Sequence, residues 1–455
     1  MMAVIFFLPI INTGNMVAPV APSTIPTVDP PNVLMIMLDD AGAQYMDVAH
    51  TPHIDWIASQ GTKYTQAVAN STGCNPSRVS FATGLMPLCV DSMSETDWRA
   101  TMNACSAGLG DNVRTMYQEF AAAGYSTVAV GKIMHTAEQQ SAEFQASYFM
   151  EAEDILPEVA NRPLHGLTAF YASGSDFKDW GAVEDLRGPT GETFTEQDMM
   201  DWRITDKAVD EIGALQEPFF AAVGLASPHL PRYVPQRFMD KYMGVPVPDV
   251  LLNDFDDMPH EGRTKSFQRS QNRIVVDSIL THQDRWREFN AAYYASLEVA
   301  DIQVGRLLAA VPEDTIIVLW SDHGYHLGQK GKIEKGTLWR ESYMVPLIMA
   351  GPGIEAGAVV TQVTNSTMVY PTLMATAGIT PTDGITRTAI TDGLIAFEGD
   401  VAIDDGAFSL IQYNALTPLQ NKQEFYDLQN DPLQWRVLTG GTEYRQRLSA
   451  YLSSN

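Results

Sequence analysis

Cys74 stands two residues before Pro76 and four before Arg78, in the run Ser71-Thr72-Gly73-Cys74-Asn75-Pro76-Ser77-Arg78. Proline suits the first turn of a helix, so this spacing predicts a helix that starts near the thiol. An arginine one turn further on can hold both a nucleophile at position 74 and an oxyanion beside it. A plain buried cysteine is the competing reading, because cysteine often serves as a small hydrophobe. The other residues with chemistry to offer are Asp39, Asp40, Lys132, His135, His229, Asp322 and His323, and they share one property. Each comes shortly after an apolar run.

Asn32 to Leu38 is continuously apolar after its first residue, the pattern of a strand buried on both faces of a parallel sheet, and Asp39-Asp40 follow it. Ser126 to Val130 reads as a strand leading to Lys132 and His135. Phe219 to Gly224 leads to Ser227-Pro228-His229, and Ile316 to Trp320 leads to Asp322-His323. Helices are expected over Pro52–Gln60, with Thr51 as cap and Gly61 as stop, and over Val113–Ala123. Strands alternating with helices, with polar residues at carboxyl strand ends, predict an α/β sheet with a site along one edge. Singly, each pair reads equally as a polar turn. Four strands converging on one pocket favour a site.

The 455-residue chain is long enough for a large domain and a smaller one. Its 29 Lys plus Arg against 55 Asp plus Glu give a net charge of -26, which opposes non-specific binding to nucleic acid or anionic lipid. Three cysteines exclude a disulfide scaffold, although Cys89 and Cys105 are spaced to allow one bridge. Ala3 to Ile11 is apolar but too short to span a bilayer, and Ala18 and Ala21 offer small residues for a cleavage site, so export is expected. Residues 1–31 are therefore read as leader and linker, 32–395 as the main domain and 396–455 as a small C-terminal domain. No membrane span is expected.

With these residues in place, the chain resembles the type I sulfatases of the alkaline phosphatase superfamily, and within them the iduronate-2-sulfatase branch. The resemblance is carried by Asn32 to Gly42, Cys74 to Gly84, Gly124 to His135, Pro218 to Pro231, Ala295 to Leu308, Ser321 to Gly353 and Glu424 to Trp435. It includes the Cys-x-Pro-Ser-Arg signal and the ending Phe425-Tyr426-Asp427-Leu428-x-x-Asp431-Pro432. The implied fold is an alkaline phosphatase-like sandwich, a large mixed but mainly parallel sheet flanked by helices, with a smaller C-terminal α+β domain.

The resemblance further implies that a maturation enzyme oxidises Cys74 to formylglycine. The aldehyde hydrates to a geminal diol; one hydroxyl attacks sulfur and the other expels sulfate by breaking a carbon–oxygen bond. One calcium ion is implied on Asp39, Asp40, the converted Cys74, Asp322 and His323, with magnesium or manganese as alternatives. Arg78 and Lys132 are implied to stabilise the hydrate, His135 to help remove its proton, and Lys335 with His229 to face the sulfate and leaving oxygen. His229 is the candidate general acid.

Several residues depart from the family pattern. Ala82-Thr83-Gly84-Leu85 replaces Leu-Thr-Gly-Arg, Ser227 stands where a lysine commonly precedes Pro-His, and Lys330 adds a positive charge expected beside the site. Phe408 to Tyr413 runs almost directly into the ending motif, so a trimmed small domain is expected. Arg263, Lys265, Arg269 and Arg273 crowd a short stretch and read either as a grip for sulfated carbohydrate or as a solvated face. The expected protein is a periplasmic or secreted sulfatase acting on sulfated carbohydrate. The rival readings are a phosphate or phosphonate ester hydrolase of the same superfamily and an unconverted protein that only binds sulfated glycans.

Overall fold

The computed structural model describes residues 30–87, 97–105, 108–151, 154, 180–186, 190–249, 254, 256–263, 283–387, 392–415 and 422–454. The expected leader, Cys89 and three of the four basic residues (Lys265, Arg269 and Arg273) lie outside the described residues; Arg263 is exposed.

Eight strands form the main sheet: β1 (Val33–Asp39), β2 (Gly61–Tyr64), β3 (Ser126–Gly131), β4 (Ala146–Tyr148), β5 (Phe219–Pro228), β6 (Ile316–Ser321), β7 (Leu347–Ala350) and β8 (Ala358–Val360). Their order is β8-β2-β7-β6-β1-β5-β3-β4. Only β7 runs against its neighbours; the other pairings are parallel. All seven residues of β1 are buried, as a continuous apolar run requires. Leu34, Ile36 and Leu38 face one core and Val33, Met35 and Met37 the other, which is the two-residue period of a strand.

Helices cover both faces. On the first lie α4 (Met200–Ala214) and α5 (Gln283–Leu308), which bury Ile204, Ala208, Tyr293 and Leu297. On the second lie α2 (Cys74–Thr83), α3 (Met116–Ala122) and α6 (Val369–Thr376), which bury Phe81, Phe120 and Leu373. Phe81 of α2 stacks on Trp320 of β6 with ring centroids 3.5 Å apart, fixing the last turn of α2 against the sheet.

Helix α1 (Pro52–Gln60) has the expected bounds, but Thr51 makes no side-chain cap and Gly61 is extended, opening β2 rather than a left-handed stop. Helix α3 begins three residues later than expected because Thr115 caps it, accepting from the Gln118 N–H, while Val113 is extended. A second sheet, β9 (Gly393–Phe397), β10 (Asp400–Asp404), β11 (Phe408–Gln412) and β12 (Gln423–Asp427), is antiparallel in chain order and packs on α7 (Thr442–Ser454) through Leu448. Strand β9 runs across residue 396.

Two glycines let β3 and β5 close up at their carboxyl ends. A Cβ on Gly131, whose φ is +78, would stand 2.0 Å from the Gly224 carbonyl oxygen, and one on Gly224 would stand 2.3 Å from that of Lys132. Gly131→Ala is therefore expected to cost more than ~3 kcal/mol in a urea melt, through strain and overlap together. Gly213→Ala, in α4 with open space around it, is the control and should change stability by less than ~1 kcal/mol.

Candidate active site

Strands β6, β1, β5 and β3 are neighbours, so their carboxyl ends bring Asp322-His323, Asp39-Asp40, His229 and Lys132 to one edge. The pairing of β1 with β5 slips at Asp39, and Asp40 takes a left-handed φ of 74°. Such a backbone is uncommon outside glycine and must be held. The Asp40 N–H donates to Asp322 Oδ1 at 3.1 Å, and the Tyr293 hydroxyl donates to the Asp40 carbonyl at 2.7 Å while accepting from the Gly42 N–H at 3.0 Å. Ser321 Oγ accepts from the Ala41 N–H at 2.9 Å.

Cys74 is the first residue of α2 and Pro76 lies in its first turn, as the spacing predicts. Every residue of α2 is buried. Cys74 Sγ lies 3.2 Å from His323 Nε2 and 3.3 Å from Lys335 Nζ. Position 74 thus sits beside the residues carried by β6 and by the segment holding Lys335.

Two buried cations, Arg78 and Lys132, and the partly buried Lys335 meet three buried carboxylates, Asp39, Asp40 and Asp322. Arg78 donates from Nε and Nη2 to Asp322 Oδ2 at 3.0 and 2.7 Å, and its Nη2 is 3.0 Å from Asp39 Oδ1. Its other terminal nitrogen donates to the Lys132 carbonyl, tying α2 to the end of β3. Lys132 Nζ lies 3.4 Å from both Asp39 Oδ2 and Glu151 Oε2. Lys335 Nζ donates to Asp40 Oδ1 at 2.6 Å. Burial alone would raise the Asp39 carboxyl, but Lys132 and Arg78 overcome it and hold the group well below its usual range. Asp40 is drawn to about 2 against the same burial effect, chiefly by Lys335.

The histidines divide by environment. Burial disfavours the charged form of His323, yet Asp322 and Cys74 outweigh it and lift the imidazole to about 9. His135 is pushed down to about 4 by burial and by the charges of Lys132 and Arg78, so it is neutral near pH 7. Its Nδ1 is buried with no hydrogen bond among the described residues. The loop that carries it is pinned by Gln140 Oε1, which accepts from the Ile133 and Met134 N–H groups at 2.8 and 3.2 Å. His229 Nε2 is 4.0 Å from Asp40 Oδ2, and its Nδ1 bonds to the Leu230 carbonyl at 2.5 Å.

The donor set fits a divalent cation. One ligand atom each from Asp39, Cys74, Asp322 and His323 lies within 4.8 Å of the others, and Asp39, Asp40 and His229 form a second such group. Asp39 Oδ1 is buried and, beyond its ion pair with Arg78, has no hydrogen-bond partner among the described residues. Each group offers two carboxylates and an imidazole, and carboxylate oxygens suit a hard ion.

The contacts above join nine of the ten residues expected from the sequence at this edge, and His135 lies close enough to feel the charges of Lys132 and Arg78. Sequence reasoning missed those that hold them: Tyr293, Ser321, Gln139, Gln140 and Asp201, the last accepting from the Ala226 and Ser227 N–H groups at 2.6 and 3.3 Å. Gln139-Gln140, one turn after His135, was the readable signal; nothing marks Tyr293 apart from its neighbour Tyr294 in the same helix. One expectation needs correction. Lys330 does not add free charge beside the site: its ammonium donates to Asp254 Oδ1 at 2.9 Å and to the Gln434 carbonyl, in a buried seam with the C-terminal segment. Ser227 does border the site, in a cavity of about 30 Å³ that it lines with Asp201, His229 and Ser296.

A family model described as Sulfatase matches residues 31–379. A sulfatase of Formosa agariphila is 26% identical across 93% of this chain and 86% of its own length. Human iduronate 2-sulfatase is 28% identical across 72% of this chain and 60% of its own. The solved phosphonate monoester hydrolase of Agrobacterium radiobacter superposes with a TM-score of 0.67 over 93% of this chain and 94% of that one; at 18% identity this is a likeness of fold. The fold is that of the alkaline phosphatase superfamily. The chain belongs to the sulfatase family, as a type I sulfatase, and its activity is hydrolysis of sulfuric esters.

His135 yields a test of this electrostatic picture. Its folded pKa, about 4, lies below the ordinary 6.5, so between these values the unfolded chain binds a proton that the folded chain refuses. Stability should fall as pH drops from 6.5 and level off below 4. Urea unfolding at pH 7.5 and 4.5 should show His135→Asn losing less stability on acidification than the wild type, by up to about 3 kcal/mol.

Proposed function

We propose that the chain hydrolyses sulfate esters of a sulfated carbohydrate, using a formylglycine at position 74 and one calcium ion held by Asp39, Asp40, Asp322, His323 and the matured side chain of residue 74. The observation that carries this reading is the surroundings of Cys74: Sγ is 3.2 Å from His323 Nε2 and 3.3 Å from Lys335 Nζ, within the group formed with Asp39 and Asp322. An unactivated structural cysteine has no use for such company, whereas a nucleophile attacking an anionic ester needs cations fixed around it.

The formylglycine hydrate would supply one hydroxyl to attack sulfur and a second to release sulfate by carbon–oxygen cleavage. Calcium would supply positive charge where the sulfuryl oxygens become more negative. The chain's own residues do the rest. Arg78 and Lys132 orient the group at position 74 and screen its oxygens. His135, neutral near pH 7, accepts a proton from a hydroxyl there. Lys335 balances charge gathering on the transferring group, and His229 donates a proton to the leaving oxygen. Each is fixed before the reaction, so little reorganisation is needed as charge develops.

Carbohydrate is the substrate class favoured by the likeness to iduronate 2-sulfatase. Ser227 removes a lysine that the similar branch carries before Pro-His, which argues against iduronate itself as the sugar. Export to the periplasm or beyond, and maturation by a formylglycine-generating or equivalent enzyme, belong to the same reading. The shared fold keeps phosphonate and phosphate esters as a second reading. Parallel assays on sulfate and phosphate esters of one alcohol separate the two.

Cys74→Ala should lower kcat/KM for an aryl sulfate by at least ~10³-fold, with the thermal midpoint almost unchanged. Mass spectrometry of the peptide around residue 74 should find the aldehyde in active protein. Finding only thiol in protein that binds sulfated glycans without cleaving them would favour a binding role. Chelation should abolish turnover and calcium should restore it; full activity after exhaustive chelation would remove the metal from the reading.

A further inference from the structure

Arg232 is 2% exposed and follows the His229 loop. Its guanidinium carbon lies 4.9, 4.8 and 4.6 Å from the ring centroids of Phe289, Tyr293 and Tyr325. Its Nε donates to the Pro228 carbonyl, while both terminal nitrogens are buried with no hydrogen-bond partner among the described residues. A desolvated cation with unpaired donors is costly unless something else stabilises it, and three aromatic faces do so by cation–π attraction.

Two of those rings lead elsewhere. Tyr293 holds both ends of the strained Asp40 turn through its hydroxyl, donating to the Asp40 carbonyl at 2.7 Å and accepting from the Gly42 N–H at 3.0 Å. Tyr325 is held by the Tyr45 hydroxyl, which donates to its carbonyl at 2.8 Å. Arg232 therefore touches the loop that ends in His229 on one side and the tyrosine that sets Asp40 on the other. His229 Nε2 and Asp40 Oδ2 are 4.0 Å apart. The guanidinium also lies against the tyrosine that donates, and a nearby cation strengthens a phenol as a donor.

We infer that Arg232 is a positioning residue for the sulfuryl-transfer reaction: bound between Phe289, Tyr293 and Tyr325, its guanidinium locks the His229 loop to the Asp40 turn. The inference rests on the reading of His229 and Asp40 as parts of the reacting centre. It assigns Arg232 no contact with substrate. Its effect runs through Tyr293 and Pro228.

The test is a double-mutant cycle on Arg232→Met, which keeps bulk and removes charge, and Tyr293→Phe, which keeps the ring and removes the hydroxyl. Steady-state kinetics with a small aryl sulfate should show each single variant lowering kcat about 10- to 100-fold with KM changed less than about threefold. The double variant should be no worse than about threefold below the weaker single, because both changes break one linkage. Arg232→Lys, which keeps a cation among the rings, should recover most of the loss. Folded variants with wild-type kcat, multiplicative effects in the double variant, or an Arg232→Lys as poor as Arg232→Met would each overturn the inference. If Arg232→Met does not fold, Arg232→Gln, which also removes the charge, takes its place in the cycle with Tyr293→Phe and is read against the same outcomes. A wild type inactive on every sulfate ester tried would instead overturn the sulfatase site reading beneath it.

Discussion

The structure depends on Arg78 bridging carboxylates at the ends of two adjacent strands. Asp39 closes β1 and Asp322 follows β6, and parallel pairing forces them side by side in a buried place. Two desolvated like charges cannot both stay ionised there without a counter-charge. One guanidinium reaches both, and its remaining nitrogen takes the Lys132 carbonyl at the end of β3. A guanidinium spreads five donors over three nitrogens in a fixed plane and so spans separated acceptors, whereas an ammonium offers three donors from a single atom. The helix that starts at Cys74 is therefore positioned by the same residue that makes the carboxylate pair tolerable.

That arrangement explains why so much of the site is buried. Helix α2 lies wholly in the interior, so the thiol at its start cannot wander; the turn after β1 is pinned by Tyr293, the loop after β3 by its own Gln140, and the end of β5 by Asp201. Preorganised charge is worth most where water is excluded, because nothing need rotate when negative charge develops. The uncommon backbone of Asp40 belongs to the same economy of motion, being kept by bonds at both of its peptide groups.

The strands that carry the site were legible because burial on both faces leaves an apolar run that ends abruptly at a charged residue, as Leu38-Asp39-Asp40 and Trp320-Ser321-Asp322 show. The start of α2 was legible from Pro76. Lys335 was not, since it follows only a short strand, Ile333–Glu334, and the resemblance alone supplied it. Lys330 was misplaced because sequence distance from His323 says nothing about direction: its backbone takes a left-handed turn, and its side chain leaves toward Asp254. The boundary of α3 moved because Thr115 competes for the helix start through its own side chain. Residues that act by holding others, such as Tyr293 and Arg232, carry no local signature, because their partners come from other parts of the chain.

The balance of charge also bears on substrate. Asp39, Asp40, Asp322 and Glu151 are matched by Arg78, Lys132, Lys335 and the raised His323, so the cluster is close to neutral within a chain of net charge -26. A neutral site in a strongly acidic protein has little pull on an anionic ester. A divalent cation on the carboxylates and His323 would turn that balance positive without adding a side chain, and would do so only at this edge of the sheet. On the proposed reading the ion thus has a role before any bond is made: it lets an acidic chain, well suited to stay dispersed among polyanions, attract a sulfate group to this edge of the sheet.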